Sequence, residues 1–451
     1  MDARSAQFDS KGGCMTLKEK ICELSHQRLA YVPDYSNFVA GVTPVLYSGP
    51  FWDNSEIEMA MEALLTGKWL TSGEYVARFQ NEFARRFNVR HAYMVNSGSS
   101  ANLVLMAAVK KRLSWNDGDE IIVSPVGFPT TVAPIVQNGL KPVFIDIEMN
   151  TLNFDVNIAH HAIFSRLECE ITSRTRAIFV SPVLGNPPDM DAIMRLCQSH
   201  DIILLGDNCD SLGSRWGGRF LNELYYAWTT SFYPAHHITT GEGGMVCSND
   251  RELDALVRSF AQWGRACYCV GAANTLPCGT CGKRFSNWLG GDAIVDHKYI
   301  FDNMGYNLKP LDLQGAIGLA QLNKLDFIER SRRDNARRIS EMFEEIPGVR
   351  VAVVHQKADP CWFGVPVICD SSVIRESMVA HLEANKIQTR PYFAGNLLRH
   401  GGFSGLANAA SFPNADRALG TVFFLGCPPH YTTRVRDHIK EVICRWQPPK
   451  N

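Results

Sequence analysis

No stretch of this 451-residue chain stays apolar for long. Its longest apolar runs, such as AIFV (177–180) and IILL (202–205), fall far short of the roughly 20 residues that cross a bilayer. Excess charge of either sign is also missing. Lys and Arg number 45 against 46 Asp and Glu, so no net field draws the chain to nucleic acid or an anionic membrane. The opening MDARSAQFDSKGG has no apolar core of the kind a signal peptide needs. Internal repeats and low-complexity tracts are lacking too. The most consequential absence is of one residue type: between Lys141 and Lys283 there is no lysine at all.

The apolar fraction of 45% and charged fraction of 20% are those of a soluble globular protein, and the length suggests about two to three domains. Fourteen cysteines without an export signal imply a reducing, cytoplasmic setting in which structural disulfides are not expected. Those in apolar stretches, such as Cys197, Cys247, Cys369 and Cys444, read as small buried hydrophobes. Four others crowd into CYCVGAANTLPCGTC: Cys267, Cys269, Cys278 and Cys281.

Residues 1–50 read as a helical lead-in, with Leu17, Ile21 and Leu24 on one face of TLKEKICELSHQRLA. Three- and four-residue apolar spacing predicts helices over 54–66 and 75–88. Strand-like runs then alternate with helical patterns: HAYMV, DEIIVSP, KPVFIDIE, RAIFVSP and DIILLGDN. This is the signature of a mostly parallel sheet covered on both sides, with its sites at the strands' carboxyl ends. A large α/β domain over 51–325 is expected, with a cysteine-rich insert at 264–290. From 312 runs one long helical pattern with room for a break near its middle. Three further strand-like runs, VRVAVV, WFGVPVIC and TVFFLG, predict a smaller α+β domain over 326–451.

The chemistry gathers at strand ends. NSGSSANL (96–103) places small residues where a strand turns into a helix, so backbone N–H groups there can cradle an anion, with hydroxyls from Ser99 and Ser100 beside them. A plain serine N-cap is the alternative. LLGDNCD ends a strand in Asp207, a carboxylate placed to pair with a cationic ring nitrogen or simply to face solvent. Phe128 in GFPTT can stack on a planar ring or fill a core. Ser231, ahead of two adjacent histidines, can give a further phosphate donor.

In this order, with SFYPAHHITTGEGG (231–244) following, the signals resemble the fold-type I pyridoxal-phosphate enzymes, and more closely the DegT/DnrJ/EryC1/StrS sugar aminotransferase family. The family motif carries a Schiff-base lysine where this chain has His236. No other lysine is near in sequence, and an imidazole forms no stable imine. It can act as a general base near neutral pH. That replacement is similar to the nucleotide-sugar 3-dehydratases, the CDP-4-keto-6-deoxyglucose type in particular. The likeness runs from GKWLTSGEYVARFQNEF through WGRACYC, CGKRF, DHKY and GYNLK to RPYFAGNL. The resemblance implies pyridoxamine phosphate held noncovalently, His236 as base, Asp207 on the ring nitrogen, and expulsion of the C3 hydroxyl from a nucleotide-linked 4-keto-6-deoxyhexose. The pathway implied is 3,6-dideoxyhexose and O-antigen synthesis. His237, the neighbour, can exchange roles with His236, but the motif register favours His236.

One branch of those dehydratases carries a [2Fe–2S] cluster fed by a flavin-containing iron–sulfur NAD(P)H reductase; another lacks it. The resemblance to the first branch implies Cys209, Cys267, Cys269 and Cys281 as ligands, with 57 residues between the first two. Cys278 competes for the fourth position, and a four-cysteine zinc site is the other reading of the segment. The resemblance further implies a homodimer with shared sites, Asn307 reaching the partner's cofactor phosphate, and Arg390 near substrate. A nucleotide-sugar aminotransferase, a cluster-free dehydratase and a non-catalytic sugar-binding relative are the alternatives.

Overall fold

The computed structural model describes residues 19–20, 23, 35–156, 166–267, 269 and 281–449. Most of the lead-in helix predicted within 16–30 lies outside these residues, as does Cys278.

Seven strands make the central sheet: β1 (His91–Val95), β2 (Glu120–Val123), β3 (Lys141–Phe144), β4 (Thr175–Val180), β5 (Ile203–Asp207), β6 (Ala227–Ser231) and β7 (Gly244–Ser248). Their order is β1-β7-β6-β5-β4-β2-β3. The β3–β2, β2–β4, β4–β5 and β5–β6 pairs are parallel, while β7 runs antiparallel to both β1 and β6. Both faces are buried, and the side chains divide with the two-residue period of a strand. Ile122, Ile178, Leu204 and Trp228 pack on one face with Phe79 and Phe83. Ile121, Phe179 and Leu205 pack on the other with Val104, Leu105 and Ile135. Each such side chain contributes about 1.5–3 kcal/mol on burial. The sheet is therefore a rigid frame for whatever its strand ends carry.

A smaller antiparallel sheet joins β8 (Val349–Val351), β9 (Gly364–Cys369), β10 (Thr389–Pro391) and β11 (Val422–Gly426) in the order β8-β9-β11-β10. Three two-residue strands form a third, minor sheet. The long helical pattern from 312 is two helices, Asp312–Asn323 and Leu325–Glu341, separated at Lys324. The second helix carries Arg332, only 1% exposed, to the boundary between the sheets. Its guanidinium donates to the carbonyls of Ala235 and His236 on the central-sheet side, and of Trp362 and Phe363 beside β9. Among the described residues, no helix is long and apolar enough to cross a membrane.

Candidate active site and cysteine cluster

Loops leaving the carboxyl ends of β1, β4, β5 and β6 surround a cavity of about 420 Å³, within the usual range of small-molecule sites. Ser97 caps the helix Gly98–Arg112, its hydroxyl accepting from the Ser100 N–H. First-turn geometry leaves the Gly98 and Ser99 N–H groups without intrahelical acceptors at the cavity wall. Gly98 has to be glycine: a Cβ there would lie 2.5 Å from Ser231 Cβ and 3.1 Å from Cys209 Sγ. Ser99 and Ser231 line the cavity. Ser100 does not; its N–H and hydroxyl are both engaged by Ser97.

Asp207, at the end of β5, is 4% exposed. Its Oδ2 accepts from Asn102 Nδ2 at 2.8 Å and Thr131 Oγ1 at 2.7 Å. Asn102 is in turn fixed by the Thr229 hydroxyl on β6. A buried carboxylate held this way is pre-aimed into the cavity. Phe128 is 52% exposed and presents its ring from the opposite wall-forming loop, edge-on to Phe393. The residues present thus fit a phosphate-bearing pyridinium: donors for the phosphate, a ring for the ring, and a carboxylate for its nitrogen.

His236 lines the same cavity with its side chain 15% exposed. Burial, together with the Arg332 charge, pushes its pKa down to about 3, opposed by the Cys209 carbonyl. Its Nδ1 has no hydrogen-bond partner and lies 3.7 Å from Asp210 Oδ1, beyond hydrogen-bonding reach. Burial and the neighbouring Asp207 charge push the Asp210 carboxyl up to about 7, against the Leu184 N–H and Arg332. The imidazole is therefore neutral at neutral pH, with its Nδ1 unpartnered; burial alone makes it a weak base, and an anionic phosphate nearby would raise its basicity. His237 faces elsewhere: its Nε2 donates to the Cys361 carbonyl at 2.8 Å, and the residue is 2% exposed. Among the described residues, no lysine lines this cavity.

Two predicted residues sit apart. Asn307 lines a second cavity, with Arg265, Lys298 and Lys309, and its side chain accepts from Lys309. Arg390 lies one layer back, its guanidinium 4.1 Å from the ring centre of Tyr47, which itself lines the first cavity.

Cys267, Cys269 and Cys281 converge, with ligand atoms within 4.8 Å of one another, and the fourth member of their group is His297. Three of the four expected ligands thus meet, and the fourth stands apart. Cys209 is not in the group; its thiol stands in the first cavity beside Gly98, because β5 delivers it there two residues after Asp207. Sequence reading missed His297, although DHKY was in view, since no spacing rule ties it to the cysteines. Asp210, in the quoted DNCD, carried a readable signal. Tyr47 and Phe363, which come from distant segments, carried none.

Parallel strands that bring an anchored carboxylate and a helix N-terminus to one crevice place the molecule among the fold-type I pyridoxal-phosphate enzymes. Within that class the chain belongs to the DegT/DnrJ/EryC1/StrS aminotransferase family, whose model matches residues 52–444. It is 38% identical over 448 residues to dTDP-4-dehydro-2,6-dideoxy-D-glucose 3-dehydratase of Saccharopolyspora spinosa, covering 96% of this chain and 94% of that one. It is 35% identical over 441 residues to the lipopolysaccharide biosynthesis protein RfbH of Salmonella typhimurium, covering 96% and 97%. Among solved structures, GDP-4-keto-6-deoxy-D-mannose-3-dehydratase of Escherichia coli with bound hydrated PLP superposes with a TM-score of 0.77 at 31% identity. The match covers 89% of this chain and 99% of that one.

Proposed function

We propose that this chain removes the C3 hydroxyl from a nucleotide-linked 4-keto-6-deoxyhexose of the CDP-4-keto-6-deoxyglucose type, using noncovalently held pyridoxamine phosphate and His236 as the base. The observation that carries this is the neutral imidazole of His236 in the cofactor-shaped cavity, where the family's aminotransferases need a lysine. The two named dehydratase relatives support the same reaction class.

The cofactor supplies an amine for the sugar ketone and a protonated ring that withdraws electrons. The protein's own residues do the rest. Gly98 and Ser99 N–H groups, with the Ser231 hydroxyl, bind the phosphate. Phe128 fixes the plane of the ring, and Asp207, immobilised by Asn102 and Thr131, keeps the ring nitrogen protonated. His236 accepts the proton whose loss drives out the C3 hydroxyl. Phe363, Phe393 and Tyr47 wall the site with apolar surface and exclude water.

The deoxygenation needs electrons; a [2Fe–2S] centre held at the cysteine cluster would supply them, recharged by a flavin iron–sulfur NAD(P)H reductase. The second, basic cavity around Asn307 then faces the cofactor phosphate of a neighbouring copy in a homodimer with shared sites.

Anaerobic incubation with CDP-4-keto-6-deoxyglucose, a reductase of that class and NADH tests this. The expected outcome is a 3-deoxy nucleotide sugar by mass spectrometry, with iron and acid-labile sulfide in the protein. A pyridoxyl-lysine after borohydride, or nitrogen in the product, would instead identify an aminotransferase. Dehydration with release of ammonia and no iron would identify a cluster-free dehydratase.

A further inference from the structure

The cysteine cluster is built from three chain segments, and the contacts holding them determine which side chains meet. Residues 264–267 pair with 300–303: the Ala266 N–H donates to the Ile300 carbonyl at 3.0 Å, and the Asp302 N–H to the Gly264 carbonyl at 2.9 Å. Residues 281–284 are clamped to 296–297 by Arg284 and Asp296, joined at 2.7 and 2.8 Å through two guanidinium nitrogens. The His297 N–H donates to the Arg284 carbonyl at 2.9 Å, and Asp296 caps the short helix His297–Tyr299 by accepting from Lys298.

This scaffold fixes the imidazole of His297, which is 0% exposed, against the thiols. One ring nitrogen is 3.3 Å from Cys281 Sγ, and the other 3.7 Å from Cys267 Sγ. Two backbone N–H groups also point at sulfur: Cys269 N–H at Cys267 Sγ, 3.1 Å, and Lys283 N–H at Cys281 Sγ, 3.4 Å. Donors aimed at sulfur favour the thiolate over the thiol, which is the form that binds a metal.

We infer that Cys267, Cys269, Cys281 and His297 form one metal centre of three thiolates and one imidazole, and that Cys209 is not among its ligands. The inference rests on the metal-dependent reading above only for the identity of the occupant. Four ligand atoms within 4.8 Å surround a thiophilic centre, and the imidazole replaces a negative ligand with a neutral one. A centre with one less negative charge is easier to reduce, and an imidazole nitrogen can couple its redox state to protons. A further consequence is that the Cys209 thiol remains in the cofactor cavity, between Asp207 and Asp210.

The test uses the full-length protein, reconstituted anaerobically with ferrous iron and sulfide. Pulsed EPR of the dithionite-reduced protein is expected to show a strongly coupled histidine nitrogen. H297C is expected to retain iron and sulfide, lose that coupling, shift the visible spectrum and lower the reduction potential. H297A is expected to lose at least half its iron while its melting temperature, read on the apo form, matches that of apo wild type. C209S is expected to keep the full complement of iron and the wild-type spectrum. Loss of iron in C209S, or absence of nitrogen coupling in the wild type, overturns the ligand assignment. If the protein as purified holds zinc and no sulfide, the proposed electron supply fails. The ligand set is then read from zinc stoichiometry in C209S and H297A, where retention in the first and loss in the second sustain it.

Discussion

Replacing His236 by asparagine separates catalysis from stability. In the structure the ring is 15% exposed and its Nδ1 has no hydrogen-bond partner. Its neighbours are loose: the Tyr233 ring is 6.5 Å away centre to centre and the Phe363 ring 5.1 Å. Asparagine leaves a small void and keeps an N–H donor for the Cys209 carbonyl, so the folding cost is about 1 kcal/mol or less, about 2 °C in melting temperature for a chain of this size. Catalysis loses its base. General bases contribute roughly 10²–10⁴ in rate, which is about 2.7–5.5 kcal/mol at 1.36 kcal/mol per tenfold. The phosphate and ring-nitrogen contacts are made by other residues, so cofactor content is expected to hold. The assay is C3 deoxygenation under saturating reductase, read by chromatography, alongside melting temperature and cofactor absorbance. A variant retaining more than a tenth of the rate would refute the assignment. A large drop in melting temperature would show that the ring is structural.

Arg332 should behave in the opposite way. Arg332→Met strands four carbonyls, each worth about 1.5–3 kcal/mol to a charged donor, and partly recovers this by removing a buried charge. A net loss on the order of 3 kcal/mol is expected in denaturant titration, with the His236 pKa rising once the cation is gone; an unchanged midpoint would show that the carbonyls find other donors. Asp210 gives a pH signature. Its folded pKa, about 7, lies above the unfolded value of about 3.9, so its contribution is present below about pH 4 and lost as pH rises through 7. Relative to Asp210→Asn, which keeps the opposing His236 titration, wild-type stability should fall by up to about 4 kcal/mol across that window. Parallel urea curves for the two proteins from pH 4 to 8 would contradict the burial argument.

The primary structure alone set the strand-and-helix alternation, because core-facing residues must recur at the spacing of each element. It also made the absence of a catalytic lysine plain, and it put Asp207 and the Ser97–Ser100 turn at strand ends where sites form. Motif register pointed to His236 rather than His237; in the structure His236 lines the cavity and His237 donates to the Cys361 carbonyl. The antiparallel course of β7 and the short strand β10 were not legible, since pairing partners are chosen by distant segments. Nor was Arg332, which looks in sequence like part of a solvated charge run and is buried because two sheets meet over it. The cysteine cluster shows the same division most sharply. The family resemblance grouped Cys209 with the other thiols. Strand β5 carries it into the cofactor cavity instead, and the Arg284–Asp296 clamp brings in His297. Spacing along a chain reports which ligands exist; only the packing of segments against one another decides which of them meet.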